Sequence, residues 1–180
     1  TDISLHSMQF LGPPFTFGIA QVADNITIVG PSGAMAVDDK VFWMGLGDFY
    51  VYTGQTTKLA CPVSSYIFDD INVGQSSLTV CALNSTFSEI WWFYPSANSN
   101  ENDRYVIYNY LENTWCVGTL TRTAWQDRGL FTNPIAASDD GYLYNQENGQ
   151  NDGSTNPPGA ITSYIESGTM SIGAGNEFVF

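Results

Sequence analysis

Three aromatic or β-branched runs, Ser88–Tyr94, Asp103–Tyr110 and Thr114–Gly118, follow one another with short polar connections and close on Trp115-Cys116-Val117-Gly118. Runs of this length and residue type, bounded by turn formers, read as a small up-and-down antiparallel sheet, the unit from which β-propellers are built. A single sheet of this kind cannot bury both of its faces, so the chain must pack several of them around an axis or against partners.

A turn rich in Asp, Asn or Gly followed by a short aromatic strand recurs along the chain. It stands as Asp38-Asp39-Lys40 before Val41–Met44, Gly47-Asp48 before Phe49–Tyr52, Asn84-Ser85-Thr86 before the Trp91-Trp92 strand, and Asp139-Asp140-Gly141 before Tyr142–Tyr144. Asp and Asn tolerate the left-handed and hydrogen-bonded conformations of tight turns, and Gly supplies positive φ. The irregular spacing of about 45 residues is in the range of propeller blades. Strands are expected near 26–30, 34–37, 40–44, 48–53, 57–61, 78–84, 88–94, 104–110, 114–118, 134–138, 141–146 and 160–166. One short helix is expected near 63–71, where Tyr66, Ile67, Phe68 and Ile71 break the alternation and Ser64 or Ser65 offers a cap. The expected fold is therefore all-β, with antiparallel propeller blades forming a partial propeller over 1–180. The polar stretch 145–159 is expected to be a mobile inter-strand connection rather than a domain boundary. The chain starts on Thr1 and stops at Phe178-Val179-Phe180 in a strand-like run, which suggests a segment of a longer polypeptide.

With 180 residues, 43% hydrophobic and 14% aromatic, the chain has the means to build a core and is not a disordered one. Eighteen acids against five bases leave a net charge of −13, which argues against gripping nucleic acid through phosphate contacts. For most of the acids, solubility and repulsion between copies suffice as an account. Cys61, Cys81 and Cys116 form no C-x-x-C pair, and the only histidine is His6, so an ordinary zinc site is not expected. The odd cysteine count fits buried thiols in a reducing compartment better than a disulfide framework. The sequons at Asn25 and Asn84 are chance-level matches. No apolar run approaches the roughly 20 residues of a membrane span, and no membrane insertion by this segment is expected.

No catalytic constellation is legible. A Ser-His-Asp or Cys-His arrangement would have to rest on His6 alone. Gly12-Pro13-Pro14 and Gly30-Pro31-Ser32-Gly33 lack the Lys and helix of a phosphate loop. The acid pairs Asp38-Asp39, Asp69-Asp70 and Asp139-Asp140 read as turn-capping groups, whereas a glycosidase needs two carboxyls converging from separate elements. Ser138-Asp139-Asp140-Gly141 resembles part of the Asp-box of sialidase-type propellers, with the spacing altered and the terminal Trp absent. A calcium loop at 148–152 lacks the closing Glu. Trp91 and Trp92 point to opposite faces of one strand, so packing between sheets explains them better than a sugar platform. The expectation is no enzyme, no catalytic or metal-ligating residue and no cofactor.

In this order, Val41–Gly45, Phe49–Gly54, Leu59–Cys61, Tyr66–Asn72, Asn84–Tyr94, Asp103–Tyr110, Trp115, Gly118–Leu120, Arg122–Trp125 and Asp139–Tyr144 resemble the tail nozzle protein of short-tailed bacteriophages (tail tubular protein B), over roughly residues 15–180. The resemblance implies a structural virion protein of the phage tail, assembled in the host cytoplasm. It implies a homo-oligomer, a hexamer, bound to a tail adaptor protein and tail fibres, through which DNA passes without specific binding. An acidic lumen would repel phosphates and keep passage smooth. Candidate lumen or interface acids are Glu101, Asp103, Glu112, Glu147 and Asp152. The competing expectation is a carbohydrate-binding propeller domain of a receptor-binding tail protein or lectin, with aromatics exposed at loops.

Overall fold

A computed structural model describes residues 3–151, 157, 159–162, 170–171 and 178–179. The described secondary structure is mostly antiparallel sheet, and the chain divides into two compact units, Thr1–Glu147 and Asn148–Phe180.

The first unit opens on a two-stranded arm, β1 (Ser4–Phe10) paired with β2 (Phe17–Asp24). Three meanders follow. Sheet I holds β3 (Ala34–Val37), β4 (Lys40–Met44), β5 (Phe49–Tyr52) and β6 (Thr56–Leu59). Sheet II holds β7 (Val80–Asn84), β8 (Glu89–Tyr94), β9 (Arg104–Asn109) and β10 (Thr114–Thr119). Sheet III holds β11 (Ala124–Gln126), β12 (Ile135–Ala137) and β13 (Leu143–Asn145). Within each sheet the strands pair in sequence order, and the first strands β3, β7 and β11 are successive neighbours.

The turn chemistry explains this order. Val37 pairs with Lys40 across Asp38-Asp39, and Asp38 takes φ 52°. That left-handed conformation suits a two-residue hairpin and is tolerated by Asp. Gly54, at φ 92°, sits in the three-residue turn between β5 and β6. Gly118 has a different reason: the Tyr105 ring across the ladder lies where its Cβ would stand, so the Gly of Trp115-x-x-Gly118 makes room for an aromatic.

Alternation puts the two halves of each strand to different use. On one face of sheet II, Cys81, Trp92, Val106, Ile90 and Tyr108 join Phe42, Met44 and Phe49 of sheet I in the main core. On the other face, Ala82, Trp91 and Phe93 pack with Tyr105, Ile107 and Trp125 of β11. Trp91 stacks on Trp125 at 5.5 Å and 22°, and Trp92 lies 4.9 Å from Phe49. Sheet II is thus covered on both faces, and its strand β8 is buried from Ile90 to Tyr94.

Tryptophan also ties the sheets by hydrogen bonds. Trp92 Nε1 donates to Gly33 O (3.0 Å), Trp115 Nε1 to Ala60 O (3.0 Å), and Trp125 Nε1 to Leu83 O (2.9 Å). Trp43 Nε1 donates to Thr27 O (3.1 Å). The Trp92 bond is buried and satisfies an indole that burial would otherwise strand; those of Trp43 and Trp125 are part-buried and that of Trp115 is exposed.

Most expected strands lie within a residue or two of the observed ones, with three corrections. Residues 26–30 form no strand; Ile26 N–H bonds Ile3 O and Val29 N–H bonds Met44 O, so this stretch links the arm to sheet I. The arm itself and β11 are strands that the sequence reading omits. The expected helix is the short α1 (Ser64–Phe68), but Val63 occupies the N-cap and no side chain caps it; Ser64 and Ser65 are inside the helix. A 3₁₀ turn, Val73–Leu78, follows, with Asn72 Oδ1 accepting from Gly74 N–H at 3.1 Å.

In the second unit, Asn151 bridges Ala160, Ile161 N–H bonds Gln150 O, and β14 (Met170–Ser171) pairs with β15 (Phe178–Val179). The expected strand 160–166 lies outside the described residues beyond Thr162.

Candidate functional site

The connections of sheet II alternate between its two ends, and this separates the candidate acids. Glu101 and Asp103 are in the loop between β8 and β9. Glu112 is in the turn between β9 and β10, at the opposite end, where Asn109 Nδ2 bonds Phe87 O of the β7–β8 turn. Glu147 reaches that same end through Asn84, whose Nδ2 donates to Glu147 Oε1 at 3.2 Å. Asp152 lies outside the described residues. The four described acids therefore form no single patch.

Their local roles also differ. Asp103 accepts from Ser96 N–H and from Ser96 Oγ, both at 2.7 Å, which closes the long β8–β9 loop as a charge-assisted clamp. Glu101 and Glu112 are exposed. Glu147 sits near Glu89, whose carboxyl is pushed above its usual range by burial and, secondarily, by the Glu147 charge; the Trp91 indole N–H, 2.9 Å from Glu89 Oε2, pulls the other way. Asn84, fully buried, keeps an Oδ1 without a partner beside this pair.

The acid pairs hold turns and ends. Asp69 N–H caps α1 on Ser65 O. Asp70 lies 3.4 Å from Arg104 Nε, an ion pair one third exposed and without an aligned hydrogen bond, which contributes little. Ser138 Oγ donates to Asp139 at 3.0 Å. Asp140 accepts from Tyr144 Oη at 2.6 Å and Tyr142 N–H at 3.0 Å, and these bonds hold its carboxyl below the usual range. Beside this corner Arg122 is buried, and among the described residues no carboxylate is bonded to it. Its Nη1 donates to Thr121 O, its guanidinium lies 4.9 Å from the centre of the Tyr144 ring, and burial lowers its affinity for a proton.

None of these groups pairs a nucleophile with a base. His6, on the exposed arm, exchanges a hydrogen bond with Ser4 Oγ at 3.0 Å. The Tyr94 hydroxyl is buried without a partner, and desolvation first, then Asp70, pushes its proton affinity up. Among the described residues, no group of three or more His, Cys, Asp and Glu is placed to hold a metal ion. No described helix is long and apolar enough to cross a membrane. The five indole N–H groups are all bonded within the chain.

A groove of about 490 Å³ runs between the base of the arm and the face of sheet I turned away from sheet II. Leu5, Val22, Ile26, Ile28, Val41 and Trp43 line it, and no carboxylate does. Sequence reasoning passed over this groove and the arm above it. The signal was present: residues 3–23 contain no Asp, Glu, Lys or Arg, in a chain with 18 acids. No family model matches the chain, and no curated protein matches it.

Proposed function

We propose that the chain is part of a β-propeller in a structural tail-nozzle protein of a short-tailed bacteriophage, a subunit of an oligomeric conduit for DNA ejection to which tail fibres attach. The observation that carries the propeller is the sequence of three meanders whose first strands are neighbours, each later sheet tied to the earlier one by an indole hydrogen bond. Blades stacked about an axis have this order, with the first strand of each innermost.

The distribution of charge supports the conduit. The first strands, Ala34–Val37, Val80–Asn84 and Ala124–Gln126, carry no charged residue, and among the described acids only Asp24 and Glu89, each at a strand end, stand outside the connections. Acids at sheet ends can face a channel built by several copies, repelling phosphates without gripping them. In this proposal six copies form the ring, Glu101 and Asp103 belong to one end of the blade, and Glu112 and Glu147 to the other, so only one pair borders the lumen. The tail adaptor and fibres would meet the ring elsewhere, and the protein would reside in the virion tail without catalytic activity.

Cryo-EM of the assembled particle tests this. A six-fold ring with these sheets in a propeller around an axial channel is the expected result. A monomer, or a three-fold spike with the groove open to glycans, would refute it and favour a carbohydrate-binding tail protein.

A further inference from the structure

The arm is an anomaly on an acidic surface. Met8, Phe10, Leu11, Phe15, Phe17 and Ile19 are each at least 59% exposed. The register pairs Met8 with Ile19 and Phe10 with Phe17, so these four share one face, and the two rings meet at 5.7 Å. Leu11 covers Gly18 on the other face, and Phe15 stands in the tip. Together they expose on the order of 800 Å² of largely apolar surface, as much as each partner of a standard protein interface contributes. Patches of this size are rare on monomers, and a two-stranded ribbon alone is marginal in water.

The same chain carries a surface of the opposite shape, the apolar groove at the arm's base. Seven strand residues reach roughly 23 Å, so a tip cannot fold back into the groove at its own base. We infer that the arm tip of one copy seats in the groove of a second copy, with Leu11 and Phe15 entering it and the Met8–Ile19 face lying along its rim. Charge selects a second copy as the occupant. At −13 per chain, two copies repel over most of their surfaces, whereas the arm tip and the groove meet without bringing carboxylates together. A basic partner would find no acid on either. Because knob and groove are different surfaces, the contact is head-to-tail and repeats from copy to copy, closing a ring if the rotation allows. It depends on the ring proposed above only for closure.

Sedimentation equilibrium on the 180-residue chain tests the contact, with Phe15→Asp in the tip and Ile28→Glu in the groove. Both positions are exposed, Ile28 at 40%, and near-UV circular dichroism verifies folding; Phe15→Ser and Ile28→Thr replace any variant that loses it. Wild type is expected to show a mass rising with concentration beyond the dimer. Each variant should weaken association by roughly 30-fold or more, the effect of losing a central anchor. A 1:1 mixture of the two variants should form a dimer and stop there, since one intact tip meets one intact groove. A wild type that stays monomeric at about 100 μM, variants that assemble undiminished, or a mixture that stays monomeric would each overturn the inference. A six-fold particle ring built on other surfaces would overturn this contact and leave the conduit; head-to-tail assembly without such a ring would do the reverse.

Discussion

Trp92→Phe is the sharpest test of how sheets I and II are held together. Trp92 is fully buried, lies 4.9 Å from Phe49, and donates its indole N–H to Gly33 O at 3.0 Å. Phe keeps the ring but removes about 40 Å³, which at about 24 cal/mol per Å³ costs close to 1 kcal/mol if the core does not close up. The lost hydrogen bond adds about 0.5–1.5 kcal/mol. Its cost falls at the low end of what burial allows, because Gly33 O still accepts from Met44 N–H at 3.1 Å and is not orphaned. The expected loss is about 2 kcal/mol, or roughly 4–8 °C in Tm for a domain of this size. Trp92→Ala should cost about 3–5 kcal/mol. Urea unfolding followed by far-UV circular dichroism measures both, with the exposed Cys116→Ser as a control expected within about 0.5 kcal/mol. A Trp92→Phe change under about 0.5 kcal/mol would show that the two sheets are not joined through this indole.

Asp103→Asn should cost about 1–3 kcal/mol in the same assay, because it removes the charge from two bonds to Ser96 and turns one acceptor into a donor. Glu89 binds its proton more tightly folded than unfolded, so its contribution to stability is lost as pH rises from the ordinary Glu range through the folded value. Glu89→Gln should therefore gain on wild type across that window, as read from urea midpoints at successive pH; a constant difference would refute the assignment. Asp140 has the opposite sign: its bonds to Tyr144 and Tyr142 stabilise above the ordinary Asp value and fail as pH falls through the folded one. Tyr144→Phe should return the Asp140 carboxyl towards its usual range, measurable by carbon-13 NMR titration. With a thiol reagent, exposed Cys116 should react first, half-buried Cys61 more slowly because burial raises its thiol, and buried Cys81 only on unfolding.

What the sequence disclosed and what it withheld follow from the physics of each element. Strands bounded by strong turn formers were legible: β3 and β4 flank Asp38-Asp39, and β8 follows a turn whose last residue, Ser88, takes φ 59°. Opposite faces for Trp91 and Trp92 followed from the pleat alone. The partners of those faces did not, because which sheet covers which is a long-range fact; the bond from Trp125 to Leu83 spans 42 residues. The arm was overlooked because its apolar residues alternate without a core to face, and Gly12-Pro13-Pro14 was weighed only as a phosphate loop. The acids were legible as loop residues and no further. That Asp103 is spent on Ser96, while Glu101 is left to solvent, depends on a backbone path that composition does not encode.

The four long-range indole bonds share a direction. Each runs from a tryptophan to a carbonyl that precedes it in the chain: Trp43 to Thr27, Trp92 to Gly33, Trp115 to Ala60, Trp125 to Leu83. On the ribosome, where the N-terminal part emerges first, every indole leaves the exit tunnel after its acceptor has been made. Each new sheet thus finds a template already waiting, and none must stand by with a buried donor unfilled while its acceptor is synthesised. Assembly can proceed vectorially, one meander at a time, in the order in which the message is read.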